Sequence, residues 1–416
     1  MISVEHALER ILRDLQPLPS EPVPLRDALG RVLAETVRAP FDLPPFANSA
    51  MDGFAVLAAD TLSAAQGHPV RLQIIGDIPA GAQSLPELKS GQAARITTGA
   101  PIPPGGDAVV PVEHTSEAGD MSGTQLGALI DIFEPAAVGA FVRKPGTDVP
   151  SGSLAVPAAT RLRASEIGLL AGLGVETPLV HRQPLAGVLS TGSELVGSNQ
   201  PIVPGHVRDA NGPALAAAVQ AAGGRVLPLG IAPDDPLAVA SALDHAVGQG
   251  VDLLVTSAGV SVGARDYVRM ALEQNGTLEF WKVNMRPGKP LAWGHFRDVP
   301  FFGLPGNPVS AQVGFELFVR PALRRLSGCS AVFGGRLPVR MLQPVDSDGR
   351  ESYLRAQVHR EGNGFVAELT GEQGSGLSSS MVRANALVIL PAGVLRADTG
   401  DMLEALPLSD FWEQLA

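Results

Sequence analysis

Between residues 185 and 257 the chain alternates short apolar runs with helix-patterned segments, and this alternation restricts the fold more than any other feature. LAGVLSTG at 185–192, the run over 226–230 and LLVTS at 253–257 read as strands, while 213–222 and 236–247 read as helices. A βαβαβ order predicts a parallel sheet with helices on both faces. The pattern continues through a helix over 267–274, strands over 278–283 and 300–303, and a long helix over 309–326, closing near Gly328.

The rest of the chain is patterned differently. Residues 4–15 read as an amphipathic helix with Ser3 as its N-cap, and 25–33 as a second short helix. From residue 40 to about 142, short β-type runs such as 70–75 and 108–112 lie between Gly and Pro turns. A helix over 164–171 is closed by Gly172 and Gly174. After residue 328, alternating runs such as 386–390 suggest a small terminal β-domain, and no internal repeat is visible. The expected organisation is therefore a helical linking domain from 1–39 and 142–180, an inserted β-rich domain over 40–141, an α/β domain over 181–328 and a C-terminal β-domain over 329–416. A chain of 416 residues with 45% hydrophobic composition is too long for one core, which agrees with such a division.

Charge narrows the ligands. Against 31 Lys and Arg stand 42 Asp and Glu, a formal net charge of -11, which argues against a general nucleic-acid binder. Any anionic ligand must meet a local basic site. The single cysteine, Cys329, cannot form an intrachain disulfide, and no His/Cys cluster surrounds it. With no secretion signal and no apolar stretch of about 20 residues, the expectation is a soluble protein of the reducing cytoplasm, not a membrane protein.

In an open α/β sheet, ligands bind beyond the carboxyl ends of the strands, and four loops there are chemically loaded. After 253–257 comes SAGVSVGARD, where Gly259 and Gly263 let the backbone approach a ligand, Ser257 and Ser261 offer hydroxyls, and Asp266 stands at the next helix start. A tight turn with Asp266 as N-cap explains the same residues equally well. Glu194, Asp234 and Asp235 lie on the loops after the first two strands, so with Asp266 they could converge on Mg²⁺, which prefers oxygen ligands and bridges carboxylates to phosphates. Taken singly, Asp234 or Asp235 before Pro236 is more often a helix cap. FWKVNMRPGKP brings Lys282, Arg286 and Lys289 close together, although a lone lysine is usually solvated surface charge. GLPGNPVS puts Gly306 and Asn307 in a turn, Pro308 at a first helical position and Ser310 in the first turn, the arrangement of a helix N-terminus that receives oxyanions or of one that is merely well capped. No Ser–His–Asp grouping is visible, and His206, His245 and His295 are given no role.

The segments FANSAMDGFAV, TTGAPIPPGGDAVVPVE, STGSEL, RDANG, PDDP, AGVSVGARDY, MRPGKP and GLPGNPVS, in this order and spacing, resemble the MoeA family of molybdopterin molybdenumtransferases, which includes the E domain of gephyrin. The resemblance runs over nearly the whole chain. It implies a three-layer molybdopterin-binding α/β domain, a C-terminal β-barrel-like domain, and an elongated homodimer with active sites shared between protomers. It also implies Mg²⁺-dependent transfer of molybdate to adenylyl-molybdopterin with release of AMP, downstream of a molybdopterin adenylyltransferase.

Residue by residue, the resemblance implies that Glu194, Asp234 and Asp266 are acidic active-site positions, that Arg286, Lys289, Pro290 and Ser310 lie on the molybdate side, and that Lys282 has functional weight. Asp52 and Thr98 match contributions of the partner protomer, and Arg355 and Ser375 match residues that face the molybdate. Four positions depart from the family: Ala47 and Ser193 where Asp is usual, Phe54 where Tyr is common, and Ala258 where the usual pair is Gly-Gly. An alanine at 258 strains the loop if that position requires a positive φ. Two other readings share parts of this pattern, a gephyrin-like binding scaffold without catalysis and a molybdopterin adenylyltransferase.

Overall fold

The structure, a computed structural model, describes residues 1–118, 125–258, 267–408 and 411. It divides into two compact units, one of Met1–Glu35, Ala158–Arg163 and Thr177–Ala416, the other of Thr36–Pro157 and Ala164–Glu176.

At the centre of the first unit is a six-stranded sheet in the order Arg225–Ala232, Leu185–Thr191, Leu253–Ser257, Val299–Leu304, Pro290–Phe296, Gly276–Lys282. The first four strands are parallel and the last two pairings antiparallel. The expected parallel sheet is present in the first four strands, and a strand over Pro290–Phe296 that patterning did not reveal extends it into a mixed one. It joins Val299–Leu304 through a two-residue hairpin in which Arg297 and Asp298 both take positive φ, 50° and 67°. Such a turn is usually marked in sequence by Asn-Gly or Asp-Gly, and here neither residue is glycine.

Helices cover both faces. Val188 and Val255 face one way, toward Leu215 and Val219 of the helix Asn211–Ala221 and toward the helical segments that follow Pro308. Leu189 and Leu254 face the other, toward Val239 and Leu243 of Pro236–Gly248 and Val268 and Leu272 of Tyr267–Asn275. This alternation follows from the period of two along each strand. The long C-terminal helix expected over 309–326 is present but loosens into a π-segment at Phe315–Val319 before Arg320–Leu326. Pro321 has no N–H to return to the preceding turn and its ring crowds the carbonyl four residues back, and the wider turn absorbs both.

The N-terminal helix Val4–Asp14, capped by Ser3 Oγ on the His6 N–H, inserts Val4, Ala7 and Ile11 into the first of these two cores. The expected helix over 25–33 is not formed: only a short 3-10 turn, Leu25–Asp27, is present. Gly30 then turns the chain at φ 75°, and Val32 and Leu33 bridge instead to Arg161 and Val180. Longer-range pairing wins there over a weak local helical pattern.

In the C-terminal part of the same unit, Leu337–Met341, Glu351–Glu361, Gly364–Leu369, Ala386–Leu390 and Met402–Pro407 close on themselves as a five-stranded barrel. Its interior holds Val339, Ala356, Val358 and Val388, while Tyr353, Leu387 and Ile389 pack outward into the core shared with the N-terminal helix.

The second unit contains a five-stranded sheet in the order Ala108–Pro111, Gly53–Val56, Gln92–Ile96, Val70–Ile78, Leu129–Ile132. Apolar side chains fill both of its faces, with Phe54, Val56 and Ile74 on one and Ala55, Ile78 and Ile96 on the other. Among the described residues no helix is long and apolar enough to cross a membrane.

Because Ile11 is fully buried in the sheet unit's core, Ile11→Ala is expected to destabilise that unit by about 2–4 kcal/mol. Urea unfolding followed by tryptophan fluorescence, to which the buried Trp293 contributes, reads this, and a loss below about 1 kcal/mol would show that the N-terminal helix is peripheral to the core.

Candidate active site

The carboxyl ends of the parallel strands carry the loops that sequence patterning singled out. Strand Leu185–Thr191 ends in Gly192, where a Cβ would lie 2.6 Å from Glu194 Oε2, so glycine is what allows that carboxylate to fold back over the turn. Ser193 Oγ accepts the Asp234 N–H at 3.0 Å and ties this loop to the next. Glu194 and Asp234 are therefore exposed carboxylates on two joined loops. Asp235 does something else: its two carboxylate oxygens accept the N–H groups of Leu237 and Ala238, which makes it the N-cap of the helix that follows. That satisfies free N–H groups of the first turn, so both oxygens of Asp235 already have structural partners.

The third loop begins at Ser257, which is buried and whose Oγ has no hydrogen-bond partner among the described residues. Gly259, Ser261, Gly263 and Asp266 lie outside the described residues. Ala258 adopts φ 71°, the left-handed conformation that an alanine resists by about 1–2 kcal/mol. Its N–H bonds to Leu304 O at 3.0 Å, which holds it there, and Gly306 leaves room for its methyl group, since a Cβ on Gly306 would come within 3.2 Å of it.

Two residues escaped the sequence reading although their segments, STGSEL and RDANG, were recognised. Asn211 donates from Nδ2 to Gly306 O at 2.8 Å, linking the helix Asn211–Ala221 to the fourth loop. Its Oδ1 and the Oγ of Ser190, the register partner of Ser257, are buried without hydrogen-bond partners among the described residues. Polar atoms buried in this way cost about 1–3 kcal/mol each, which marks this strand-end cluster as a place built to hold something polar.

Lys282, Arg286 and Lys289 are all exposed. Lys282 faces Pro290 across the antiparallel pairing, and Lys289 O accepts the Val283 N–H at 3.0 Å, so the basic turn is closed at its base. Gly288, at φ 102°, lies against the next helix, where an added Cβ would stand 3.7 Å from Ser310 O. The basic turn and the first turn of that helix are thus neighbours, with no room between them for a large side chain at 288.

The barrel meets them from the other side. Met285 and Arg286 pair in parallel with Glu351 and Ser352 at the start of the long barrel strand. Arg286 Nη1 lies 3.8 Å from Asp348 Oδ2. The hydrogen bond from Arg350 holds the Asp348 carboxyl down to about 2, with the charge of Arg286 adding to it. Arg355 is buried, donating from Nε to Ser380 Oγ and from Nη2 to the carbonyls of Glu372 and Gly374. Burial, with the charge of Arg286 adding to it, lowers its pKa to about 10. Arg355 therefore braces the loop that carries Ser375. That serine accepts the Asn307 amide at 3.0 Å through Oγ and the Val309 N–H at 3.2 Å through its carbonyl. Val309's N–H at the helix mouth is thereby already occupied.

In the second unit, Asp52 and Thr98 are brought together: Asp52 Oδ1 accepts the Thr98 N–H at 2.7 Å and its hydroxyl at 3.0 Å. Among the described residues no three Asp, Glu, His or Cys side chains gather as a metal cluster. Glu194 and Asp234 alone still suit Mg²⁺, which commonly takes one or two carboxylates and fills its remaining positions with water and substrate phosphate oxygens.

Comparison with known proteins is consistent along the chain. Residues 2–174 match the MoeA N-terminal region (domain I and II), residues 187–325 a probable molybdopterin binding domain, and residues 338–408 the MoeA C-terminal region (domain IV). The molybdopterin molybdenumtransferase of Nostoc sp. is 37% identical over 94% of this chain and 89% of its own length. That of Bacillus subtilis is 36% identical over 97% of this chain and 94% of its own.

The chain belongs to the MoeA family.

A crystal structure of the molybdopterin biosynthesis MoeA protein of Pyrococcus horikoshii shares the fold, with a TM-score of 0.80 at 34% identity over 98% of this chain and 99% of that one. Within the MoeA framework the unusual element is Ala258 at positive φ beside Gly306. Ala258→Gly is expected to leave stability unchanged or raise it by about 1 kcal/mol, since release of left-handed strain opposes the added freedom of the unfolded chain. Gly306→Ala is expected to cost about 0.5–1 kcal/mol less in the Ala258→Gly background than in the native one. Chemical denaturation of the four proteins measures this coupling, and strictly additive losses would show that the two positions do not touch.

Proposed function

We propose that this chain is a molybdopterin molybdenumtransferase that inserts molybdate into adenylyl-molybdopterin, with Mg²⁺, and releases AMP. The observation that carries the reading is the junction at Arg286: a basic turn that lies beside a helix mouth, Gly288 near Ser310, and pairs with the barrel strand through Glu351 and Ser352. Full-length likeness to two molybdopterin molybdenumtransferases supports it.

In this reading Arg286 and Lys289 attract and orient the molybdate, with Pro290 and Ser310 bounding its position. Arg286 is kept in place by the paired backbone and by Asp348, so its guanidinium is preorganised for an oxyanion instead of being reoriented at each encounter. Arg355 positions Ser375, and Ser375 fixes Asn307 at the helix mouth. Ser190, Ser257, Asn211 and Gly306 line the approach of the pterin and its nucleotide at the strand ends. Glu194 and Asp234 would hold Mg²⁺, with Asp266 as a further candidate. That ion supplies charge neutralisation at the pyrophosphate and so favours departure of AMP. Lys282 ends the strand that leads into the basic turn and adds positive charge at its base.

The Asp52–Thr98 pair is exposed and internally bonded, which suits the edge of a site completed by a second copy in a homodimer. A molybdopterin adenylyltransferase would supply the substrate, and the reduced cytoplasm is the compartment that fits a dithiolene cofactor.

The test uses preformed adenylyl-molybdopterin. AMP should appear only when molybdate is added, and Arg286→Ala with Lys289→Ala should reduce that release by about 100- to 1,000-fold. Release independent of molybdate, or unaffected by the double substitution, would overturn the assignment. Asp266→Ala assayed in parallel reports on the acidic side: unchanged turnover would remove Asp266 from the Mg²⁺ site.

A further inference from the structure

At the opposite edge of the sheet from the candidate active site lies a second concentration of positive charge. Gln183 lies two residues before the first residue of strand Leu185–Thr191, and Gly223 two residues before that of strand Arg225–Ala232, so this place is at the amino ends of the strands. Seven strand residues at about 3.3 Å each separate it from the loops described above by roughly 20 Å. A small cavity there is lined by Arg31, Arg161, Arg182 and Arg324, with His181 and Cys329 beside them, and no carboxylate is part of the lining.

The four guanidinium groups are not equivalent. Arg182 is held by both oxygens of Asp252, and Arg31 by Glu21 and by His181 O at 2.8 Å. The Arg324 carbonyl accepts the Cys329 N–H at 3.0 Å, but the guanidinium groups of Arg161 and Arg324 have no hydrogen bond or ion pair with the described residues. Arg31 is 9% exposed and its Nε is buried without a partner among them. Two guanidinium groups without a directly bonded counterion therefore face the same small space, Glu316 acting on Arg324 only through space, in a chain whose formal net charge is -11. Burial lowers the Arg324 pKa, and the charges of Arg320 and Arg161 lower it further. Like charges gathered in a partly desolvated cavity are unfavourable unless an anion joins them.

A helix-dipole explanation covers only part of this. Arg324 and Arg325 stand in the last turn of Arg320–Leu326, where cations are favourable. Arg325 accordingly donates to a backbone carbonyl, that of Leu15, but Arg324 does not, and Arg161 comes from a different segment altogether. The backbone is also shaped for close approach. Gly30 and Gly223 take φ 75° and 91° beside the Arg161 guanidinium. At Gly328 a Cβ would fall 2.1 Å from His181 Cδ2, so only glycine lets that imidazole close the cavity wall.

We infer that this cavity is a second oxyanion site, separate from the molybdate position and taking a small tetrahedral dianion such as phosphate, sulfate or molybdate on Arg31, Arg161, Arg182 and Arg324. Guanidinium groups arranged around a small space match such an ion through several charge-assisted hydrogen bonds.

Cys329 makes the site readable, because it is the chain's single thiol and it borders the cavity. The rate of Cys329 alkylation by iodoacetamide is measured while inorganic phosphate, sulfate or molybdate is titrated at constant ionic strength against chloride. Saturable protection is expected, roughly tenfold at ten times the midpoint concentration by mass action. Arg161→Gln and Arg324→Gln should each raise that midpoint about tenfold, the effect of one charge-assisted hydrogen bond, while Arg286→Ala should leave it unchanged. Equal protection by chloride, an unchanged midpoint in both glutamine variants, or loss of protection in Arg286→Ala would each overturn the inference. Should the half-buried thiol fail to react, the same titration is read by thermal denaturation. A phosphate-dependent rise in melting temperature that is smaller in Arg161→Gln than in the native protein supports the site, and equal rises overturn it.

Discussion

The parallel pairing of Met285–Arg286 with Glu351–Ser352 is the constraint on which the candidate site depends. It is a short stretch of ladder, but it takes a turn from the α/β sheet's antiparallel edge and makes it part of the barrel's edge. Backbone hydrogen bonds between the two then set the position of the Arg286 Cα, and Asp348 limits where its side chain can go. Without that pairing Arg286 would be a surface arginine on a flexible turn, with long side-chain entropy to lose on meeting any anion. The barrel also packs Tyr353, Leu387 and Ile389 into the core that the N-terminal helix shares with the sheet. Apolar burial therefore holds as a body what the ladder aligns in detail.

A second feature is how the polar groups around the strand ends are distributed. Some are spent on structure: Asp235 on a helix cap, Arg355 on the Glu372 and Gly374 carbonyls, Ser375 on Asn307 and Val309. Others, the hydroxyls of Ser190 and Ser257 and the carbonyl oxygen of the Asn211 side chain, are buried with no partner among the described residues. The spent groups make a rigid frame and the unspent ones retain hydrogen-bonding capacity. A preorganised site needs both, since a donor that must first be oriented contributes less to binding.

How much of this was legible in sequence can be argued from particular residues. The helix Val4–Asp14 was readable because its apolar positions and its Ser3 cap are local signals. The strand Pro290–Phe296 was not, because its hairpin uses Arg297 and Asp298 at positive φ where glycine or asparagine would have announced the turn. The region after Leu25 carried a helix-like pattern too weak to resist pairing with Arg161 and Val180, which are far away in sequence. Asp234 and Asp235 are adjacent and chemically identical, and only the direction of the following helix shows that the second is the cap. Asn211 lay in a recognised segment, yet its role requires knowing that Gly306 is within reach.

What the sequence determined by itself was the order of strands and helices over residues 185–283, the need for a local basic site in an acidic chain, and the family whose motifs recur from residue 46 to residue 310. These follow from periodicity, charge and residue type, which are properties of neighbouring positions. What only the tertiary structure decided was which of the recognised residues stand together: Gly288 against Ser310, Ser375 against Asn307, Ala258 against Gly306, and an arginine cluster assembled from residues 31, 161, 182 and 324. Such contacts join segments up to hundreds of residues apart, and they are set by the packing of sheet, helices and barrel around shared cores. No local pattern encodes them, because each contact depends on where the rest of the chain has placed its partner.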